Sequence, residues 1–470
     1  MKTIALLLLA CVCAGTACDT INESFTDGYN EDPNNPSEGT PNVIFRSGSV
    51  AMILFMTDQA ARLSNLWTQH YTGSDRQYSS QNVYTITATD FDNMWTTAYV
   101  DAVVNFRAAK SGIEESETNI RAVVDLSEAL TFSTLAALFG DVPYSEALDD
   151  ERTFTPAYDS QQAVYTASLT LINEAIADLK PTVENFTGKP EDLELPAGWD
   201  IHSYQGNLPL WLKFAYSLKA RLHLHMGEYD EALEAASKGI TSVEGVEDLE
   251  FIHTGLAGQD RNLWFDFIEE NRSGYLDAVN SFARDLMLER LSPKTNDSAR
   301  VEYFYDFPVG DSTRTYTLAS TRDGAFAPDA NTPGFTAAET YLIMAEVEAR
   351  KGNNASAIDH LNNARTYWNN KLNDSSFVLL EEPDFDTGGE LEGKTVLSQV
   401  YEEAYLSLNS QIEVFTFLRR VGFDAVGLTP TNGASFPQRF FYPQGEVDSN
   451  PNTPAQGAND LFVPLPLFQK

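Results

Sequence analysis

Cysteine is missing from all but the first eighteen of the 470 residues; Cys11, Cys13 and Cys18 are the full set. A disulfide framework and a cysteine nucleophile are thereby excluded for the rest of the chain. No G-x-S-x-G elbow occurs either, which removes the serine-hydrolase signature. Histidine is scarce, at six. His223 and His225 stand two apart in a helical stretch, on different faces, and cannot grip one metal together. His70, His202, His253 and His360 have no partner at ligand spacing, so no metal site and no cofactor is expected. Positive charge is short: 31 Lys+Arg stand against 68 Asp+Glu, a formal charge of −37. Such a surface repels phosphate backbones and excludes nucleic acid as a partner. It also repels anionic ligands unless a basic pocket is set aside for them. The apolar run at 4–14, IALLLLACVCA, falls short of the roughly 20 residues a membrane span needs.

That run has another use. Met1-Lys2, the apolar stretch and the small residues Ala14 to Ala17 follow the charged, apolar and small-residue plan of a signal peptide, here 1–17. Gly15-Thr16-Ala17-Cys18 resembles the lipobox of bacterial lipoproteins, with Gly15 where Leu is usual. On that resemblance Cys18 is the lipidated N-terminus. Ordinary secretory cleavage is the alternative, and it would strand an unpaired thiol in an oxidising compartment. Residues 18–42 then form a polar tether with two Asx-Pro turns. They lack the glycine and terminal Glu of a calcium loop.

From residue 43 the chain reads as mainly α. Apolar residues recur at helical spacing through 43–180, 209–240 and 336–422, whereas 245–335 and 424–470 are loop-rich with a few short strands. Ala220, Gly227 and Ala232 sit at offsets of seven and five, and Ala345, Gly352 and Ala357 repeat them. Ser133, Gly140 and Ser145 are a weaker echo. Small residues at such spacing suit helix-turn-helix repeats of the tetratricopeptide kind, and about four helix pairs are expected. Coincidental hairpins in an ordinary α protein remain the alternative. In GDVPYSEAL, Gly140 should end a helix and Ser145 cap the next element. Arg419 and Arg420 fall at a helix C-terminus, where cations favour the dipole.

The order of motifs carries a resemblance. A lipid-acceptor Cys is followed by DPNNP, LFGDVPYSEAL (138–148), YDSQQAVY, the 209–240 hairpin, YLIMAEVEARKGN and FLRRVGFDAVG…RFFYP. Together these resemble the SusD/RagB family of surface glycan-binding lipoproteins of Bacteroidota, in its SusD-like branch, over essentially the whole chain. The resemblance implies a single domain over 43–470, with tetratricopeptide-like helical hairpins in a right-handed superhelical scaffold. It implies a non-catalytic lipoprotein of the outer membrane, facing the exterior. Such a protein would present oligosaccharide, or peptide in some members, to a SusC-like TonB-dependent transporter.

Sugar binding needs flat aromatic faces and a rim of polar side chains. The stretch 66–95 offers Trp67, Tyr78, Asp75 and Arg76; 255–277 offers Asn262, Trp264 and Arg272. Trp95 shares a helical stripe with Tyr99 and Val103 and reads as core. The resemblance joins the two stretches into one site, because SusD-like ligand sites are built by loops outside the repeat helices. Two other functions stay open: a surface glycoside hydrolase, whose paired carboxylates leave no local signature, and a helical-repeat scaffold that binds only protein.

Overall fold

The computed structural model describes residues 39–148, 154–290, 293–306, 316–321 and 323–469. The signal peptide, Cys18 and nearly all of the tether lie outside the described residues. Among the described residues the first helix starts at Pro41, just inside the expected tether, with proline at a position where its missing N–H costs nothing.

Among the described residues four helix pairs succeed one another. Pro41–Thr57 packs on the 97–111 stretch, Thr118–Phe139 on Gln161–Asn185, Leu208–Met226 on Tyr229–Ala236, and Ala337–Arg350 on Asn354–Leu372. A shorter pair, Val396–Ser407 and Glu413–Val421, closes the series. Successive pairs also touch, 161–185 against 208–226 and 229–236 against 337–350, as stacked repeats must to bury their apolar faces. The small-residue spacing has its reason here. Ala220, Ala232, Ala345 and Ala357 are fully buried between helices. Gly227 takes φ +76° and Gly352 φ +82°, values that favour glycine at a tight turn. The third echo differs. Gly140 ends its helix at φ +91°, but the partner helix starts only at Gln161, and Ser145 caps no helix. Ser145 instead donates to Asp159, whose carboxylate also accepts from the Tyr144 and Ser145 amides at 2.9 and 2.8 Å.

Thr118–Phe139 is long and apolar enough to cross a membrane, yet 94% of its apolar window is buried inside the protein. A helix that is apolar all round belongs at the centre of a core. Its last four carbonyls show why the two family-like motifs occur together. The Ala136 carbonyl accepts from the Gly140 amide and from Gln161 Nε2, both at 3.0 Å. Arg419 Nη2 donates to the Ala137 carbonyl at 2.6 Å, the Phe440 amide to that of Leu138 at 2.8 Å, and Arg439 Nη2 to that of Phe139 at 2.7 Å. A buried helix end needs such partners for every orphan carbonyl. Arg419 therefore serves the C-terminus of a different helix from its own. Arg420 forms a two-pronged pair with Glu346, one contact at 2.7 Å. Dipole placement at the end of their own helix, the reading from sequence, is not what positions either arginine.

Among the described residues the loop-rich parts carry three two-stranded ribbons: Thr72–Gly73 with Leu276–Asp277, Leu249–Phe251 with Thr332–Phe335, and Tyr305–Asp306 with Thr317–Leu318, all antiparallel. Short helices at Phe282–Glu289 and Ser298–Phe304 lie in a region read as loop. His223 and His225 do point apart. His223 Nδ1 lies 2.6 Å from Glu228, whereas His225 sits between the Tyr165 hydroxyl at 3.1 Å and Glu413 at 2.8 Å.

Candidate functional site

The ribbon of Thr72–Gly73 and Leu276–Asp277 sews the two candidate stretches side by side, pairing Gly73 with Leu276. The Ser74 amide extends it by donating to the Tyr275 carbonyl at 2.9 Å. Gly73 is required by close approach: a Cβ there would lie 2.0 Å from the Tyr78 carbonyl oxygen. After this crossing the chain enters the short helix Arg76–Gln81. Across from it, Asp266–Asn271 forms a wide π turn, a form that recurs at functional sites.

Between these elements and the start of helix Gln59–Trp67 lies an open cleft of about 480 Å³. One wall carries Asp58, Gln59 and Arg62, a second Gln77, Tyr78 and Gln81, and a third Asp266, Phe267, Asn271 and Arg272. Asp90, Asn93 and Leu263 complete it. Arg62, one turn after Asp58, is buried, pairs with the Asp58 carboxylate and donates from Nε to the Tyr78 hydroxyl at 2.9 Å. Its guanidinium also lies 4.1 Å from the Phe267 ring centroid. Burial pulls the Arg62 pKa down, but Tyr78 and Asp58 outweigh it and hold the group charged. Burial pushes the Tyr78 hydroxyl up despite the neighbouring Arg62 and Arg272. Gln59 Nε2 donates to the Asp90 carbonyl at 2.8 Å. Gln81, a lining residue, is buried, and its Oε1 has no hydrogen-bond partner within the protein.

Flat apolar faces are not on offer. Tyr78 is 4% and Phe267 8% exposed, and Arg62 covers the latter. What the cleft presents is amides, carboxylates and guanidiniums, a surface suited to hydroxyl groups through hydrogen bonds.

The residues expected from sequence divide accordingly. Tyr78 and Arg272 line the cleft. Trp67 does not: it is fully buried, edge-on to Phe415 and Phe440 at 5.5 and 5.3 Å, and its Nε1 donates to the Gln81 carbonyl at 3.1 Å. Trp264 is 1% exposed, packed against Tyr71 and Phe326, both at 5.3 Å. Neither ring has a face left for a ligand, which corrects the expectation of stacking platforms at these positions. Asn262 is buried and caps the turn it starts, accepting from the Trp264 amide at 2.9 Å and donating to the Ala330 carbonyl at 2.7 Å. Asp75 and Arg76 are exposed, 3.5 Å apart, and lie outside the lining. Trp95 is core, 4.6 Å from the Tyr99 ring.

Sequence reasoning missed Gln59, Arg62, Gln81, Asp90, Asn93, Asp266, Phe267 and Asn271. The Asp58–Arg62 spacing of one helical turn was a visible signal. Nothing local announces that Phe267 would lie beneath Arg62.

Comparison with known proteins gives this architecture a family. Residues 33–443 match the SusD-like family described as "Starch-binding associating with outer membrane". No curated protein sequence matches the chain. Among solved structures, a SusD/RagB family protein from Bacteroides thetaiotaomicron is 20% identical with a TM-score of 0.67, covering 92% of this chain and 99% of that one. A chitin-binding SusD homologue from Flavobacterium johnsoniae is 15% identical with a TM-score of 0.69, covering 90% and 98%. A SusD homologue from Bacteroides uniformis is 17% identical with a TM-score of 0.67, covering 92% and 99%. These likenesses concern the fold, and the sequence match spans most of the chain: the protein belongs to the SusD-like family.

Proposed function

We propose that the protein holds oligosaccharide in the polar cleft between residues 58–93 and 263–272 and passes it, uncleaved, to a SusC-like TonB-dependent transporter. A lipid on Cys18 would tether it to the outer membrane, facing the exterior. The observation that carries the reading is the cleft itself, open, rich in hydrogen-bonding groups and lined in part by Gln81, whose buried Oε1 has no partner within the protein. Membership of a family described as starch-binding and outer-membrane-associated supports glycan over other polar ligands.

Titration of glycans against variants tests the site. Gln77 and Asn93 are exposed at the rim. Each lost hydrogen bond is worth about 0.5–1.5 kcal/mol, so Gln77→Ala and Asn93→Ala should each weaken binding roughly two- to tenfold. The melting temperature should stay unchanged. Full affinity in both variants would remove the cleft from consideration. Release of shortened sugar during the same incubation would favour a hydrolase instead.

Fractionation tests the rest. Three acyl chains anchor far more firmly than one, each buried CH₂ contributing about 0.8 kcal/mol. Wild-type protein is expected in the outer membrane, bringing a large β-barrel with it after gentle solubilisation, while Cys18→Ser stays soluble and unlabelled by fatty acid. Fatty-acid labelling of the serine variant, or repeated recovery of wild type alone, would count against anchor and partner respectively.

A further inference from the structure

Arg272 stands apart from the other charges of the cleft. Every carboxylate in the lining is already engaged: Asp58 with Arg62, Asp266 with Arg261, and Asp90 with the Thr87 amide at 2.9 Å and hydroxyl at 2.7 Å. Arg62 is likewise committed to Asp58 and the Tyr78 hydroxyl. Arg272 is exposed at the rim, donates to the neighbouring Asn271 carbonyl at 2.8 Å and lies 5.9 Å from the Tyr275 ring centroid. Among the described residues no carboxylate pairs with it, although the chain holds more than two acids for every base. Arg272 is thus the charged side chain of the lining that has no hydrogen bond to another side chain. An independent feature of the same lining asks for a donor: the buried Gln81 Oε1 accepts nothing within the protein.

We propose that the cleft selects glycans carrying an anionic group, a uronate carboxylate or a sulfate ester. That group pairs with the Arg272 guanidinium, while a sugar hydroxyl donates to Gln81. The inference rests on the glycan-binding reading of the cleft and adds the ligand class to it. A guanidinium fork matches the paired oxygens of either anion. The acidic surface elsewhere repels such chains. The rim at Arg272 then becomes their point of attachment, and the same field that disfavours loose association leaves the cleft as the specific site.

The test is calorimetric titration of the full protein with oligogalacturonate, its methyl ester, a sulfated galactan oligosaccharide and a neutral maltooligosaccharide. Wild type, Arg272→Ala, Arg272→Lys and Gln77→Ala are compared. For an exposed pair the free acid should bind roughly two- to fivefold tighter than its methyl ester, or the sulfated chain tighter than the neutral glycan by as much. Arg272→Ala should abolish that difference with no change in melting temperature, and Arg272→Lys should recover part of it. Which anionic probe wins distinguishes uronate from sulfate. Equal or tighter binding of the uncharged glycans, or no binding of either anionic probe, overturns the proposal. If Gln77→Ala still weakens a neutral glycan, the cleft stands and the charge preference alone falls. If a glycan binds and neither position matters, the cleft falls with it.

Discussion

Trp67→Ala is expected to cost about 3–5 kcal/mol of folding stability, the usual range for deleting a large aromatic from a packed core. The ring is fully buried between Phe415 and Phe440. Its Nε1 bond to the Gln81 carbonyl also ties helix Gln59–Trp67 to the cleft wall. Trp264→Ala should behave alike, since that ring fills the space beside Tyr71 and Phe326. Given total stabilities of about 5–15 kcal/mol, either loss is large enough to show in any denaturant or thermal melt. Any fall in glycan affinity should track the loss of folded protein. An unshifted melting curve with abolished binding would instead mean that these rings meet the ligand, and that they do not pack against Phe415, Phe440 and Phe326 in solution.

Glu403→Gln should be comparably severe. Glu403 is completely buried, as are the side chains of Arg300 and Arg365, and that of Arg290 is only 4% exposed. Arg290 Nη2 reaches one carboxylate oxygen at 2.9 Å, Arg365 Nη1 lies 3.7 Å from the same oxygen, and Arg300 bonds the other. Asp297 is the second carboxylate of the cluster, 3.2 Å from Arg290 and 3.3 Å from Arg300. Three cations thus share two anions where water cannot screen them. Removing one partner of a buried pair leaves an uncompensated charge and costs about 3–5 kcal/mol. The exposed pair Glu234–Lys238, 2.8 Å long, is the control: Glu234→Gln should leave the melt unchanged.

The same cluster sets an acid limit. Burial alone would raise the Glu403 pKa, but Arg300, Arg290 and Arg365 overcome it and hold the carboxyl well below its ordinary value of 4.5. A depressed folded-state pKa contributes stability that is present above 4.5 and drains away as the pH falls below it. Burial shifts Asp297 the opposite way, so that group does not add to the acid loss. Wild type should therefore lose stability on acidification below that value, and Glu403→Gln should show a flatter acid limb. Parallel acid limbs in the two proteins would exclude Glu403 as the group responsible.

The helical class and the position of most repeat helices were legible because both rest on local spacing. Apolar recurrence every three to four residues marks a buried stripe. The Ala220–Gly227–Ala232 register marks a hairpin because a glycine at positive φ must lie between two close-packed small residues. Even Trp95 announced itself as core through Tyr99 and Val103. Residues in irregular stretches carry no such mark. Trp67 and Trp264 looked free because no stripe claimed them, yet Phe415, Phe440 and Phe326, far along the chain, close over them. Arg419 read as a cation at its own helix end, while the carbonyl it satisfies belongs to Ala137 on the central helix.

By itself, then, the sequence determined an acidic chain of stacked helical hairpins with loop-rich inserts; that the two candidate stretches meet came only from the family resemblance. The tertiary structure alone decided which side chains those stretches turn toward solvent. The pairing of Gly73 with Leu276 creates the cleft, and Arg62 lying over Phe267 closes its aromatic face and leaves amides and Arg272 at the surface. Periodicity records interactions between residues three or four apart. Exposure in a loop depends on segments hundreds of positions away, whose approach no local pattern encodes.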